Sequence, residues 1–226
     1  MAKVFKLTSD TSILKKKLHY ELDNSDNNLS IGLVAFYSTY LTPNVTTTTN
    51  SLTYGDSQVF IPEGQYSLKS LNDYLESQSI GITLTEDHLR NRVEIETDGN
   101  DVTIGGIGTV LGFDTFTILE KNKSHIGSKL PKFHPFDTIN VHCNVADGMI
   151  VKNSNYTHRE TGIIATFKTA AEFKHSIIYE PSYPLFFPIT RNKIDEFEIK
   201  ITDENESLID FGGAQTTVLL QTKIFY

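Results

Sequence analysis

The sequence predicts an all-β sandwich with the strand number of a single jelly roll and a small helix-containing α+β insertion, and three observations point there. Residues 194–202 carry Phe197, Ile199 and Ile201 on every second position, with Glu196, Glu198, Lys200 and Thr202 between them. That is the period of a strand with one dry and one wet face. Residues 137–147 repeat it, with Ile139, Val141, Cys143 and Val145 alternating with Asn140, His142 and Asn144. Only residues 66–76 read as a convincing helix, and no strand-helix-strand rhythm appears, so strands must supply the core. The substantial strands number about eight, as a jelly roll requires.

Taken in order, residues 4–7 are a short β-like start. The polar stretch behind them holds the run Lys15, Lys16, Lys17 and the cluster Asp23–Asn28. Residues 1–28 are therefore a candidate N-terminal arm, its lysines either aimed at an anionic partner or a solvated edge that discourages unwanted pairing. Residues 29–41 are almost continuously apolar and aromatic, which predicts a central strand buried on both faces. Pro43 and Asn44 end it. Residues 51–61 resume an extended run that Pro62, Glu63 and Gly64 stop.

In the helix, Leu68, Leu71, Leu75 and Tyr74 share one face, with Ser67 as its cap. Residues 81–85, 92–97 and 102–104 are short strands, and residues 109–113 a helical turn closed by a glycine. Residues 63–120 thus form the α+β insertion. Residues 120–136 read as a surface connection, 153–162 as a polar loop, and 163–167 and 177–179 as strands. Pro181, Pro184 and Pro188 break up an aromatic-rich segment that neither a helix nor a central strand would tolerate. Residues 194–202 and 216–225 close the chain as two antiparallel strands with an irregular connection.

At 226 residues the chain is long enough to bury a large core without disulfides or metal. Its formal charge of −8 argues against nucleic acid as a main ligand. The lone Cys143 excludes an internal disulfide framework and suits a reducing compartment. No stretch has the apolar length of a membrane span, and the first residues lack the apolar core of a secretory signal. The sequons at Asn28, Asn44, Asn122, Asn155 and Asn205 accordingly read as chance occurrences in an Asn- and Thr-rich chain.

The residues that carry chemistry elsewhere find no support here. His142 and Cys143 are adjacent on a strand and point to opposite faces, so they cannot hold one ion together. Glu196 and Glu198 could form a carboxylate pair, but Lys200 continues their row and turns it into a charge-compensated stripe. Gly105, Gly106 and Gly108 lack the Lys-Ser or Lys-Thr of a phosphate cradle. Cys143 reads as a small core residue. No catalytic, cofactor or metal site is predicted. The surplus is aromatic: Tyr183, Phe186 and Phe187, with Tyr156 in the preceding loop, are the candidate subunit-interface residues.

Three segments in order resemble the penton, or minor capsid, proteins of Polinton and Maverick elements, adintoviruses and virophages. They are IGLVAFYSTYLTPNV with Asn50 and Tyr54; IPEGQYSLKSLNDYLE followed by VLGF; and INVHCNVADG with the stretch from Ile177 to Gly213. Where that family often has an Arg-Gly-Glu-like turn, Phe211, Gly212, Gly213 and Ala214 stand instead. The resemblance implies a structural protein without catalysis. It would form a homopentamer at the fivefold vertices of an icosahedral virion, beside a double-jelly-roll major capsid protein, and would be assembled inside the host cell. A carbohydrate- or receptor-binding jelly roll is the alternative, with a glycan or host receptor as partner.

Overall fold

The computed structural model describes residues 2–24, 28–146, 149–153, 156–169, 174–189 and 191–224, with the side chains of 20, 149–153 and 156–161 outside that description. The chain divides into two units, Met1–Leu41 with Phe136–Tyr226, and Thr42–Pro135. Its first strands are β1 (Lys3–Ser9), β2 (Ile13–Asp23) and β3 (Leu29–Thr39). The second unit runs through β4 (Ser51–Tyr54), β5 (Ser57–Phe60), α1 (Leu68–Ser77), β6 (Ile82–Asp87), β7 (Arg92–Thr97), β8 (Val102–Ile104), α2 (Gly108–Leu111), β9 (Ile118–Leu119) and β10 (Ser124–Ile126). The first unit then resumes with β11 (Thr138–Cys143), β12 (Met149–Asn153), β13 (Tyr156–Lys168), β14 (Ser176–Tyr179), β15 (Phe187–Pro188), β16 (Lys193–Thr202) and β17 (Thr216–Ile224).

Among the described residues the first unit holds two antiparallel sheets. One has the order β1-β17-β3-β14, with β15 also on β3, and the other the order β12-β13-β11-β16-β2. The wiring is that of a long hairpin rolled up. β1 pairs with β17, β2 with β16, β3 with β14 and β11 with β13, so early strands meet late ones in nested pairs. Rolling that ribbon adds β17 to β3 and β16 to β11. Eight strands in this order are a jelly roll, the form of β sandwich that the strand count suggested and the resemblance implied.

The inward rows meet in one core. Leu7, Leu14, Ile31, Phe36, Ile139, Val141, Phe197, Ile199, Ile201, Val218 and Leu220 are all buried in it. Full burial of such a side chain stabilises by about 1.5–3 kcal/mol. Phe36 tilts against Phe167 with ring centres 5.3 Å apart, and Phe5 against Phe197 at 5.0 Å. Tyr40 meets Phe136 edge-on at 5.4 Å, and its burial holds the phenol well above the usual tyrosine range. β3 is buried on both faces along most of its length, as its unbroken apolar run predicted.

Several boundaries differ from the sequence reading. Residues 1–28 are not an arm, since β1 and β2 within them are edge strands of the two sheets. The lysine run hid an alternation in which Leu14 is wholly buried and Lys16 shares its inward row. Lys16 lays its aliphatic stem along that row and donates from Nζ to the Lys6 carbonyl at 3.0 Å. Residues 156–162, read as loop, belong to β13 and pair with β12, while 154–155 lie outside the described residues. The two closing strands do not pair with each other, because β16 joins one sheet and β17 the other. Between them Asp203 Oδ1 accepts from the backbone N–H groups of Asn205 and Ser207, both at 2.8 Å.

The second unit is wider than residues 63–120. The two-residue turn after β4, with Gly55 at φ 59°, sends the chain back as β5, and β4 also pairs with β8. At the other end β10 adds to β7, inside the stretch read as a connection. α1 starts as predicted: the Ser67 hydroxyl accepts from Ser70 N–H at 3.1 Å, and Ser70 Oγ accepts from Ser67 N–H at 2.8 Å. Leu71 and Leu75 then bury against Leu84, Ile95 and Ile104 in a separate core. α2 ends at Gly112, whose φ of 80° closes the turn. Asn44 ties the unit's two ends together, donating from Nδ2 to the carbonyls of Tyr66 and Phe133 at 2.7 and 3.0 Å. That sequon asparagine is buried and engaged.

Candidate assembly surface

The proline-aromatic segment lies along β3 in the first sheet. β15 places Phe187 opposite Ile31 and Pro188 opposite Ser30. Just before it the backbone comes so close that a Cβ on Gly32 would stand 2.3 Å from the Leu185 carbonyl oxygen, so only glycine fits there. Phe187 packs half-buried against the jelly-roll core. Phe186 is half-buried too, with the Lys223 ammonium 4.2 Å from its ring centre. Tyr183 is 89% exposed.

Sequence reasoning missed the outward face of the sheet on which this segment lies. The outward positions of this sheet run in rows across the strands: Val4, Gln221 and Gly32; Lys6, Leu219 and Ala35; Thr8, Thr217, Tyr37 and Ile178. Val4, Ile178 and Leu185 are exposed. With the half-buried Leu219 they place apolar side chains on this face among the polar Lys6, Thr8, Thr217 and Gln221, with no run of paired charges across it. The signal lay in β17, where Leu219 occupies a position that the alternation of Thr217, Gln221 and Lys223 marks as wet. Tyr37 donates from its hydroxyl to Glu180, a bond that raises the phenol above its usual range.

The outward face of the second sheet is the opposite. Lys15 and Lys17 stand in register with Glu198 and Glu196. Lys15 Nζ lies 2.8 Å from Glu198 Oε2, Lys200 3.5 Å from Glu198 Oε1, and Lys193 3.2 Å from Glu21. The hydrogen bond from Lys15 holds the Glu198 carboxyl below the usual glutamate range and raises the lysine in return. Of the lysines expected as a basic arm, Lys15 and Lys17 thus stand on a charge-compensated stripe, while Lys16 lies on the inward row. Tyr156 is in register with Asn153 on β13 of this second sheet, so the structure does not join it to Tyr183, Phe186 and Phe187; its side chain lies outside the described residues.

A shallow cleft of about 240 Å³ opens on the second sheet between His142, Cys143, Asn144, Glu198 and Lys200. Its polar groups are already engaged. His142 Nε2 meets the Thr202 hydroxyl at 2.9 Å, and Asn144 Oδ1 accepts from Glu198 N–H at 3.0 Å. Burial pushes the Cys143 thiol up to about 11, which removes the thiolate a nucleophile would need. Among the described residues no three His, Cys, Asp or Glu side chains gather as metal ligands.

No protein-family model and no curated protein matches this chain. Among solved structures, the crystal structure of the mavirus penton protein matches over 100% of this chain and 100% of its own, with a TM-score of 0.54 at 10% identity. The chain has the fold of the mavirus penton protein. The resemblance seen in three sequence segments is borne out at the level of fold. A cryo-EM structure of the Sputnik virophage matches 98% of this chain and 97% of its own at a TM-score of 0.47 and 11% identity. The likeness to the mavirus penton protein spans both units, so the helix-containing stretch is included in it.

Proposed function

We propose that this chain is a structural capsid protein without catalysis, a penton whose five copies close a ring at the vertices of an icosahedral virion beside a major capsid protein. The observation that carries this is the match along the full length of both chains to a structure described as a penton protein. The surface chemistry supports it. A ring contact joins two different patches of the same subunit and closes only at the correct rotation. Contacts of that kind are typically large and more apolar than the surrounding surface. The outward face of the first sheet, with Tyr183 and Leu185 standing out from it, suits one of the two patches. Phe186 and Phe187 contribute by holding that segment down on β3.

Light scattering on the purified chain after size exclusion tests the reading. A particle of five times the 25.4 kDa chain mass is expected. A stable monomer, or a ring of another copy number, would contradict it.

A further inference from the structure

The outward faces of the described sheets differ in charge. That of the jelly roll's second sheet carries the stripe of Lys15, Lys17, Glu196 and Glu198. On the β10-β7-β6 sheet, Thr83 is in register with Glu96 and Ser124, and Thr85 with Glu94 and Ile126. These rows face outward, because Leu84 and Ile95 between them are buried. Glu94 and Glu96 therefore stand on that face, with Arg92 as the cation of the same strand.

The β5-β4-β8-β9 sheet is the exception. Its inward row of Val59, Leu52 and Ile104 packs in the core of the second unit, and so do Tyr54, Val102 and Leu119. Its outward row runs Gln58, Thr53, Thr103 and Ile118 across all four strands, and Phe60 opposite Ser51 begins the next. None of these six side chains is ionisable. Phe60 on one edge strand is 58% exposed and Ile118 on the other 65%, with half-buried threonines between them. Charges begin past one end of the row, at Asp56, Asp101 and Glu120. There Asp101 accepts from Lys121 N–H at 2.8 Å and Glu120 pairs with Lys123.

We propose that this uncharged face packs against the outer face of the first sheet of a second copy of the chain, as the other of the two patches that a ring requires. The inference rests on the capsid reading. A head-to-tail junction joins two different surfaces of one subunit. Every copy carries a formal charge of −8, so copies repel, and a face that enters the contact without stripping water from charges is the least costly to cover. Tyr183 stands exposed on the facing surface, and its amphipathic ring suits a floor of threonine hydroxyls between two apolar edges. The facing rows carry Lys6 and Lys223, with Glu180 bound to Tyr37, against three carboxylates and two lysines past the end of this row. The small net charges of the two rims are thus opposite in sign.

Size exclusion with light scattering tests the contact on whole chains. Phe60→Ser/Ile118→Ser should melt like the parent and run as single subunits. Mixed in equal amounts with Tyr183→Ser/Leu185→Ser, each variant supplies the half that the other lacks. One junction then forms and no ring closes, so a particle of twice the chain mass holding one of each is expected. Should the first variant melt early, Gln58→Glu/Thr103→Glu serves in its place and must also abolish the ring. Glu96→Gln, on the neighbouring sheet, should leave the ring as it is. Rings from the Phe60/Ile118 variant, loss of rings in Glu96→Gln, or a mixture without the paired species overturns this contact and leaves the ring of the parent standing. A parent that stays a single subunit overturns the ring itself, and this contact with it.

Discussion

On the second sheet of the jelly roll the outward row of β16 is Glu196, Glu198 and Lys200, facing Lys15 and Lys17 of β2. On the first sheet the outward positions of β17 and β3 include Thr217, Leu219, Ala35 and Tyr37. Both rows obey the same two-residue period, yet they differ in what water does for them. The charged row is solvated and compensated within itself, so covering it would remove charges from water for little return. The other row carries no such charges: Ala35 is buried, Leu219 and Tyr37 are half-buried, and the exposed apolar side chains Val4 and Ile178 flank them on β1 and β14. A segment with exposed Tyr183 and Leu185 is laid against it through a glycine that admits a backbone carbonyl. Alternation says which residues face outward; the pairing of charges along the row says whether that face gains from a neighbour.

The contrast can be broken most severely at Gly32. Gly32→Val would drive a side chain into the Leu185 carbonyl, and overpacking of this kind costs about 1–3 kcal/mol. We expect the upper end of that range in urea unfolding, with loss of assembly as the segment lifts. Phe187→Ala comes next. Its ring is half-buried, so the loss should be about 2 kcal/mol, below the cost of removing a fully buried phenylalanine. A variant as stable as the parent would remove Phe187 from the core edge.

Tyr183→Ser with Leu185→Ser sharpens the comparison, because these side chains are exposed in the single chain. Stability should stay within about 0.5 kcal/mol of the parent while the ring fails to form. Intact rings from this variant would move the contact patch elsewhere. On the opposite face, Lys15→Ala with Lys17→Ala should leave both the unfolding midpoint and the ring unchanged, since exposed ion pairs contribute little.

The smallest effect is that of pH on Glu198. Its carboxyl is held below the usual glutamate range in the folded chain. The stabilisation is therefore present above the unfolded value and fades as pH falls through the folded one. Glu198→Gln should flatten the acid limb of the stability profile slightly; an unchanged limb would show that the Lys15 contact contributes nothing.

How much of this was legible in the sequence follows from where each signal came from. β16, β11 and β3 were readable because one face of each meets a full core, so a wrong residue there would be costly and the pattern is clean. β2 was not, because at a sheet edge Lys16 can occupy an inward position by sending its ammonium out past the core. The β12–β13 hairpin was missed because Thr157, His158, Arg159 and Glu160 carry no apolar period, and only the backbone pairing shows the strand. Tyr183, Phe186 and Phe187 were chosen as one cluster from composition. The structure separates them: Phe187 pairs opposite Ile31 at the core edge, Phe186 lies over Gly32 and Tyr183 stays exposed, a register that composition does not contain.

Negative-stain imaging of the parent beside Tyr183→Ser/Leu185→Ser bears most directly on the claim that the outer face of the first sheet is buried between copies. The account predicts five-membered rings for the parent and isolated, folded subunits for the variant. Single subunits from both, or the same rings from both, would contradict it.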